Sequence, residues 1–159
     1  MVATGRVDTA SIVIAATPGQ AYGAFASADA LMAWLPPGDM TGRALEYDFR
    51  EGGRYRIELT YRSERPAGGA KTTAGTDVTS GRFVSLVTGE RIVQTVEFDS
   101  ENAAFSGEMT MTWTFEAVPE GTRVTVTAEN VPSGISKVDH DAGLRSSLEN
   151  LARCVGTRS

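Results

Sequence analysis

One stretch near the C-terminus decides the fold: residues 136–155, with the sequence SKVDHDAGLRSSLENLARCV. A helix turns by about 100° per residue, which puts the larger residues of this stretch on one side: His140, Leu144, Leu148, Leu151 and Val155. Gly143 and Ser147 lie among them, whereas Arg145 and Glu149 lie on the opposite, water-facing side. A helix with one apolar side needs a surface to cover, and the preceding chain has the pattern of antiparallel strands. The sequence therefore predicts a sheet wrapped around this helix.

Length, composition and charge restrict the classes of function. The 159 residues are enough for one domain, predicted to span residues 1–159. The net charge is −5 and basic residues form no cluster, so neither nucleic acid nor an anionic membrane surface is expected as a partner. The apolar run at residues 11–16 is too short for a secretion signal or a membrane span, which favours a cytoplasmic protein. A lone Cys154 and a lone His140 predict no internal disulfide, no histidine-based metal site and no cofactor.

Upstream of the last helix, the pattern predicts one strand, two short helices and six more strands. The first strand covers residues 9–16, and the segment 17–20 (TPGQ) has the capping-box pattern that starts a helix. Ser27 starts the second short helix. Polar segments at residues 63–74 and 100–106 are predicted to be loops. This order predicts an α+β fold in which a curved antiparallel sheet of about seven strands carries its helices on one face.

The hairpin at residues 43–62 has a predicted register. A three-residue loop at residues 51–53, with glycines that tolerate positive φ, would place all large apolar side chains on one face. The cross-strand pairs would be Phe49 with Tyr55, Tyr47 with Ile57, and Leu45 with Leu59.

Two later strand pairs differ in how clearly they define an inner face. In the strands at residues 75–87 and 91–98, two sets compete for the inner face: Val84, Leu86 and Val93 against Phe83, Ile92 and Val96. The hairpin from residue 109 to residue 128 alternates cleanly, and its predicted inner residues are Met109, Met111, Trp113, Phe115, Val124, Val126 and Ala128.

Five motifs in order along the chain carry a family resemblance. They are AF at 24–25, AWLPP at 33–37, DFREGG at 48–53, GTRV at 121–124 and GLRSSLENLA at 143–152. The set resembles the START-like (SRPBCC) superfamily, whose fold is called a helix-grip. Within it, the chain is similar to the family named for the activator of the heat-shock protein 90 ATPase. The resemblance implies a cavity between sheet and last helix, which relatives use for lipids, sterols, polyketides or plant hormones, and some for cyclase or other chemistry.

Gly143 and Ser147 support such a cavity from the residues themselves. Glycine inside a helix costs about 1 kcal/mol relative to alanine, so either the backbone packs closely on a strand there or a cavity stays open. Ligand pockets are mostly apolar, with a few polar groups that orient the ligand. The predicted ligand-binding residues are Trp34, Tyr47, Tyr55, Ile57, Met111, Trp113, His140, Gly143 and Ser147. Trp34 has two interpretations, a lid over the cavity or a plug at the open end of the sheet.

His140 is the one candidate for catalysis, as a general acid or base near neutral pH. The alternative is a helix-start residue half in solvent, flanked by Asp139 and Asp141. A Ser-His-Asp triad with these two carboxylates fails, because they point about 100° away from His140 on the helix.

Three functions follow from these observations. The leading one is binding of a small apolar or amphipathic molecule, lipid-like or polyketide-like, in the cavity. The second is an enzyme of the cyclase, isomerase or hydrolase type that uses His140. The third is a module that contacts a chaperone, as the family name implies. The sequence leaves a homodimer open.

Overall fold

Seven strands and three helices make up the part of the chain that can be described. The structure is a computed structural model and describes residues 6–36, 40–61, 76–98 and 107–156, without the side chains of Tyr61 and Thr76. The strands are β1 Val7–Ile14, β2 Met40–Tyr47, β3 Arg54–Tyr61, β4 Thr76–Val87, β5 Arg91–Phe98, β6 Met109–Val118 and β7 Gly121–Glu129. The helices are α1 Pro18–Gly23, α2 Ala28–Met32 and α3 Lys137–Leu151, and a π-helical turn, Ala152–Gly156, continues α3. The predicted loops at 63–74 and 100–106 lie outside the described residues.

The strands form one antiparallel sheet in the order β1-β7-β6-β5-β4-β3-β2. The sheet curls into a half-barrel, and α3 lies in its concave side, so the predicted α+β helix-grip fold is confirmed. Leu144, Leu148 and Leu151 of α3 are buried, as their spacing predicts. Asn150 ties the helix to the chain after α2, because its amide donates to the Trp34 and Pro36 carbonyls at 3.1 and 3.0 Å.

The caps of α1 and α2 are those that the sequence predicts, and α3 has a serine cap of the same kind. Thr17 Oγ1 accepts from the Gln20 amide at 3.1 Å, and Gln20 Oε1 accepts from the Thr17 amide at 2.9 Å, which completes the capping box. Ser27 caps α2 in the same way, accepting from Ala30 N at 3.1 Å. Ser136 caps α3 through Asp139 N at 3.0 Å. These bonds satisfy amides that helical hydrogen bonding leaves without partners.

The register predicted for the β2–β3 hairpin is wrong. Tyr47 pairs with Tyr55, and an extra residue, Leu45, forms a bulge that shifts the pairing. The loop covers residues 48–53 and is closed by a hydrogen bond from Asp48 N to Arg54 O at 2.9 Å. Because the bulge takes Leu45 out of the alternation, its side chain is 44% exposed instead of facing inward. Phe49 leaves the ladder yet still packs against the core.

The structure also decides the inner face of β4 and β5. Phe83, Ile92 and Val96 are buried, whereas Val84 is exposed. The cause is a second register shift, between Phe83 and Ser85, which makes Val84 the extra residue of a bulge. In the β6–β7 hairpin the predicted inner face is confirmed; its buried members are Met109, Trp113, Phe115, Val124, Val126 and Ala128.

Gly81 sits where β4 and β5 stop pairing for two residues, Gly81 and Arg82. Side chains replace the missing ladder bonds there: the Tyr55 hydroxyl donates to the Thr95 carbonyl, and the Thr95 hydroxyl accepts from Arg82 N at 3.0 Å. A Cβ on Gly81 would lie 2.7 Å from the Thr95 carbonyl carbon and 2.8 Å from the Tyr55 hydroxyl oxygen. Glycine is therefore required by this close approach of two strands.

We expect Gly81→Ala to lower the free energy of unfolding by about 2 kcal/mol or more, because the added methyl group must push two strands apart. Urea denaturation followed by circular dichroism measures the loss. Gly23→Ala is the matched control, since a Cβ on Gly23 meets nothing within 4 Å. It should leave stability unchanged or raise it by up to about 1 kcal/mol. Equal stability of the two variants would contradict the close approach at Gly81.

Candidate functional site

A cavity of about 180 Å³ lies between α3 and the inner face of the sheet. It is partly open to solvent. Eight of the nine predicted site residues line it: Tyr47, Tyr55, Ile57, Met111, Trp113, His140, Gly143 and Ser147. Contact of these residues with a ligand stays a prediction. Sequence reasoning missed further lining residues on β4 and β5, among them Phe83, Gln94 and Phe98, because the bulge in β4 hides which face is inward.

Trp34, the ninth residue, does not line this cavity. Its ring is buried, and its Nε1 donates to the Ala24 carbonyl at 3.0 Å. It packs edge-to-face on Phe25 and Trp113, with ring centroids 4.9 and 5.7 Å away. These contacts favour the plug over the lid, because a buried, hydrogen-bonded indole is part of the packed core.

Gly143 interrupts the apolar side of α3 at a point where open space lies next to the helix. A Cβ built on Gly143 meets no atom within 4 Å. Close packing of its backbone on a strand is therefore wrong, and the open cavity is the alternative that fits. Ser147, one turn further along, is buried and donates to the Leu35 carbonyl at 2.9 Å. Its hydroxyl is thus used to hold the chain after α2.

The phenol groups in the cavity wall are bound to main-chain oxygens. Tyr47 donates to the Phe25 carbonyl, and Tyr55 donates to the Thr95 carbonyl. Burial raises the pKa of both phenols far above the ordinary tyrosine value, so both stay neutral at physiological pH. The two tyrosines therefore offer the cavity mainly their apolar rings.

The side chains of Trp113 and Gln94 form a hydrogen bond with each other in the same cavity wall. The indole Nε1 donates to Gln94 Oε1 at 2.8 Å. The donor on the buried indole is thereby paired with an acceptor on the partly buried Gln94, which avoids the cost of leaving the indole N–H without a partner. The wall they form is consequently less polar than its residue types suggest.

His140 is held by a carboxylate that sequence reasoning missed. His140 Nδ1 lies 2.7 Å from Asp8 Oδ2, and the two side chains are 13% and 0% exposed. The half-exposed helix-start residue predicted as the alternative is thus wrong, because the imidazole is largely buried. A signal for Asp8 was present: it shares one face of β1 with the buried or partly buried Ala10, Ile12 and Ile14.

Two cationic side chains also contact the Asp8 carboxylate. Arg6 lies 3.0 Å from Asp8 Oδ2, and Lys137 lies 3.4 Å from Oδ1. Burial by itself would raise the pKa of Asp8, but the hydrogen bonds from His140 and Arg6 outweigh burial and hold the pKa below its ordinary value. Asp8 is therefore a carboxylate that accepts from His140 Nδ1, and this bond fixes the plane of the imidazole ring at the cavity wall.

The described residues contain neither a metal site nor a membrane-spanning helix. These residues contain no group of three or more His, Cys, Asp or Glu side chains placed to hold a metal ion. None of the described helices is long and apolar enough to cross a membrane.

Comparison with known proteins identifies the family. A sequence profile described as "Activator of Hsp90 ATPase homolog 1-like protein" matches residues 15–156, nearly the whole chain. The chain belongs to this family. This family, abbreviated AHSA1, is the one that the five sequence motifs resemble. Comparison with functionally curated proteins gives no match.

Three solved structures share the fold of this chain. Protein CV1439 from Chromobacterium violaceum is 30% identical with a TM-score of 0.83, and the alignment covers 96% of this chain and 98% of that one. An AHSA1-like protein from Aeromonas hydrophila is 16% identical with a TM-score of 0.70, covering 94% and 91% of the two chains. A protein from Arthrobacter aurescens is 12% identical with a TM-score of 0.79, covering 100% and 91%. The last two similarities show the fold alone.

We expect Asp8→Asn to lower the free energy of unfolding by about 1–3 kcal/mol at pH 7, because the charged hydrogen-bond acceptor of three neighbours is lost. The folded pKa of Asp8 lies below its unfolded value of about 3.9, so its contribution is complete above about pH 4. The difference between wild type and variant should shrink as the pH falls through the folded pKa.

The control for this measurement is Asp141→Asn. Asp141 is 36% exposed and lies 3.3 Å from Lys137, and exposed ion pairs of this kind contribute about 0–1 kcal/mol. Denaturant unfolding between pH 2 and pH 7 measures both variants. A loss for Asp8→Asn that does not change with pH would contradict the ionised, hydrogen-bonded state of Asp8.

Proposed function

We propose that the cavity binds a small apolar or amphipathic molecule. The observation that carries the proposal is the open space above Gly143, bounded by aromatic and aliphatic side chains whose polar atoms are bound within the protein. START-like proteins commonly bind ligands on this fold. The identity of the ligand here is inferred from the cavity itself.

The volume sets the size of the molecule. An engineered apolar cavity of about 150 Å³ takes up benzene, whereas drug-sized ligands occupy pockets of about 300–1,000 Å³. At about 180 Å³, this cavity suits a single substituted ring or a short aliphatic chain. A longer amphipathic molecule would extend from the open end into solvent.

Aromatic rings make up a substantial part of the cavity wall. Phe25, Tyr55, Phe83 and Trp113 all contribute to it. Phe25 and Trp113 already pack edge-to-face with ring centroids 5.0 Å apart, and the rings of Tyr55 and Phe83 are tilted against each other with centroids 5.4 Å apart. A flat aromatic guest can join this packing, since offset and edge-to-face contacts are each worth about 0.5–1.5 kcal/mol beyond area burial.

We expect p-xylene to bind the wild type, and Gly143→Leu to lower its affinity at least about tenfold, because the leucine fills the space above the glycine. Calorimetric titration measures binding, and thermal unfolding gives a second measure. At ten times Kd, the ligand should stabilise the protein by about 1.4 kcal/mol, following RT ln(1 + [L]/Kd).

Gly143→Ala is the matched control. Its methyl group meets nothing within 4 Å, so it should keep most of the p-xylene affinity while raising helix stability by up to about 1 kcal/mol. Failure of the wild type to bind p-xylene would contradict ligand binding in this cavity. Unchanged affinity in Gly143→Leu would contradict its location.

A second candidate function is acid–base catalysis, favoured by the 2.7 Å contact between Asp8 and His140. A carboxylate bound to one imidazole nitrogen orients the ring and supports the positive charge that forms when the other nitrogen takes a proton. His140 is the one histidine in the sequence, so its contribution can be measured without background from others.

We expect the wild type to hydrolyse p-nitrophenyl acetate at least about tenfold faster than His140→Gln at pH 7.5, if the imidazole acts as a base or nucleophile. Release of p-nitrophenol at 400 nm measures the rate. Asp141→Asn is the control and should hydrolyse the ester at the wild-type rate. Equal rates for wild type and His140→Gln would remove this candidate and leave the binding function intact.

The chaperone contact, the homodimer and the cytoplasmic location stay predictions. The first of these is inferred from the family name, and the contacts of the described residues bear on none of the three.

A further inference from the structure

Most polar side chains in the cavity wall use their hydrogen-bonding groups inside the protein. The hydroxyls of Tyr47, Tyr55 and Ser147 donate to main-chain carbonyls, and Gln94 Oε1 accepts from Trp113. A ligand that took over one of these donors would leave a main-chain carbonyl without its partner. Leaving a buried acceptor unbonded costs more than an ordinary hydrogen bond returns, so these groups are poor anchors for a ligand.

Thr79 differs from these residues. It lies on β4 directly opposite Ile57 on β3 and Phe98 on β5, and all three side chains line the cavity. Side chains directly opposite one another in antiparallel strands share a face of the sheet, so Thr79 points to the inside of the half-barrel.

The Thr79 hydroxyl is accessible from the cavity. In the part of the chain that the structure describes, no hydrogen bond involves the Thr79 side chain, and its oxygen is not sealed from water. Because the side chain lies on the inner face of the sheet, the accessible space at this oxygen belongs to the cavity. Thr79 therefore offers a ligand a hydrogen-bonding group that no bond within the protein has to release.

The surroundings of this hydroxyl are apolar. Ile57 is buried, and Leu59 and Phe98 pack against the hydrophobic core. A purely apolar molecule that covered Thr79 would remove water from the hydroxyl without replacing its hydrogen bond, which weakens binding. A molecule with one polar group opposite Thr79 avoids this cost and still buries its apolar part against the aromatic rings.

We propose that Thr79 binds the polar group of the ligand, and that this group is a neutral carbonyl on a ring-sized apolar body. The inference rests on the proposed binding function. It adds the chemical class of the ligand, an aromatic ketone or a related carbonyl compound, and the residue that selects it.

A carbonyl matches Thr79 because it needs a donor and brings none. Threonine has one hydroxyl hydrogen, which a carbonyl oxygen can accept. A ligand hydroxyl would bring a second hydrogen that needs an acceptor of its own, and buried donors without acceptors are rarer in proteins than carbonyl oxygens with a spare lone pair. A carboxylate or an ammonium group would lose its hydration in exchange for a single neutral hydrogen bond, which is far more costly.

The test compares acetophenone with α-methylstyrene, which have nearly the same shape and differ by C=O in place of C=CH₂. Calorimetric titration gives the ratio of the two dissociation constants in each variant, and comparing ratios removes the difference in hydration of the free ligands. We expect the preference for acetophenone to fall about tenfold in Thr79→Val, equivalent to 1.4 kcal/mol, while α-methylstyrene binds at least as tightly as to the wild type. Valine keeps the branched shape and the strand preference of threonine.

Two further variants serve as controls. Thr79→Ser keeps the hydroxyl and should hold the ratio within about threefold of the wild-type value. Thr112→Val makes the same exchange on the outer face of β6, between the inward-facing Met111 and Trp113 and outside the cavity lining. It should leave the ratio unchanged.

The outcomes separate the inference from the function on which it rests. An unchanged ratio in Thr79→Val would overturn the inference, and so would an equal fall in Thr112→Val, because the effect would then not arise in the cavity. Failure of the wild type to bind either molecule would instead overturn the proposed binding function.

Infrared spectroscopy of bound acetophenone, labelled with ¹³C at the carbonyl, keeps the inference falsifiable if Thr79→Val does not fold. A hydrogen bond to the carbonyl oxygen lowers its stretching frequency. We expect the ligand bound to the wild type to absorb at a lower frequency than labelled acetophenone in hexane, and Thr79→Val to move the band toward the hexane position. A wild-type band at the hexane position would overturn the inference.

Discussion

The carboxylate of Asp8 joins the first strand to the last helix. It lies on β1 and is fully buried, and it takes bonds from His140 and Lys137 of α3 as well as from Arg6. Its negative charge also lies close to the N-terminal turn of α3, where the helix dipole favours an anion. The position of α3 across the sheet, and with it the shape of the cavity, depends on this ionic anchor at one end of the helix.

The other end of the helix is held by different means. Leu148 and Leu151 are buried, and Asn150 bonds to two carbonyls in the segment after α2. Between the two anchored ends, Gly143 and Ser147 present little side-chain volume to the sheet. Because α3 is fixed to the rest of the fold at both ends, it cannot move closer to the sheet where its side chains are small. The cavity between α3 and the sheet therefore stays open.

Sequence reasoning predicted the order of elements, the caps of α1 and α2 and the cavity-facing side of α3, because each of these follows from local periodicity or from a short pattern. It failed where a strand contains one extra residue. The bulges at Leu45 and Val84 each reverse which residues face inward, and alternation alone does not reveal where such a residue is inserted. It also missed the partner of His140, since Asp8 is 132 positions away in sequence and contacts His140 only in the folded structure.

The two unpaired residues of β4, Gly81 and Arg82, have a consequence for which substitutions the sequence can accept during evolution. The Tyr55 hydroxyl, the Thr95 carbonyl and hydroxyl, and the absence of a side chain at Gly81 together replace two rungs of the sheet. None of the three positions can be exchanged alone without leaving a buried main-chain group unbonded or a methyl group in a strand. Tyr55, Gly81 and Thr95 should therefore coevolve: in homologous sequences, a substitution at one of the three positions should be accompanied by substitutions at the other two. Because Tyr55 also lines the cavity, this coupling limits how freely that part of the wall can be reshaped for a different guest.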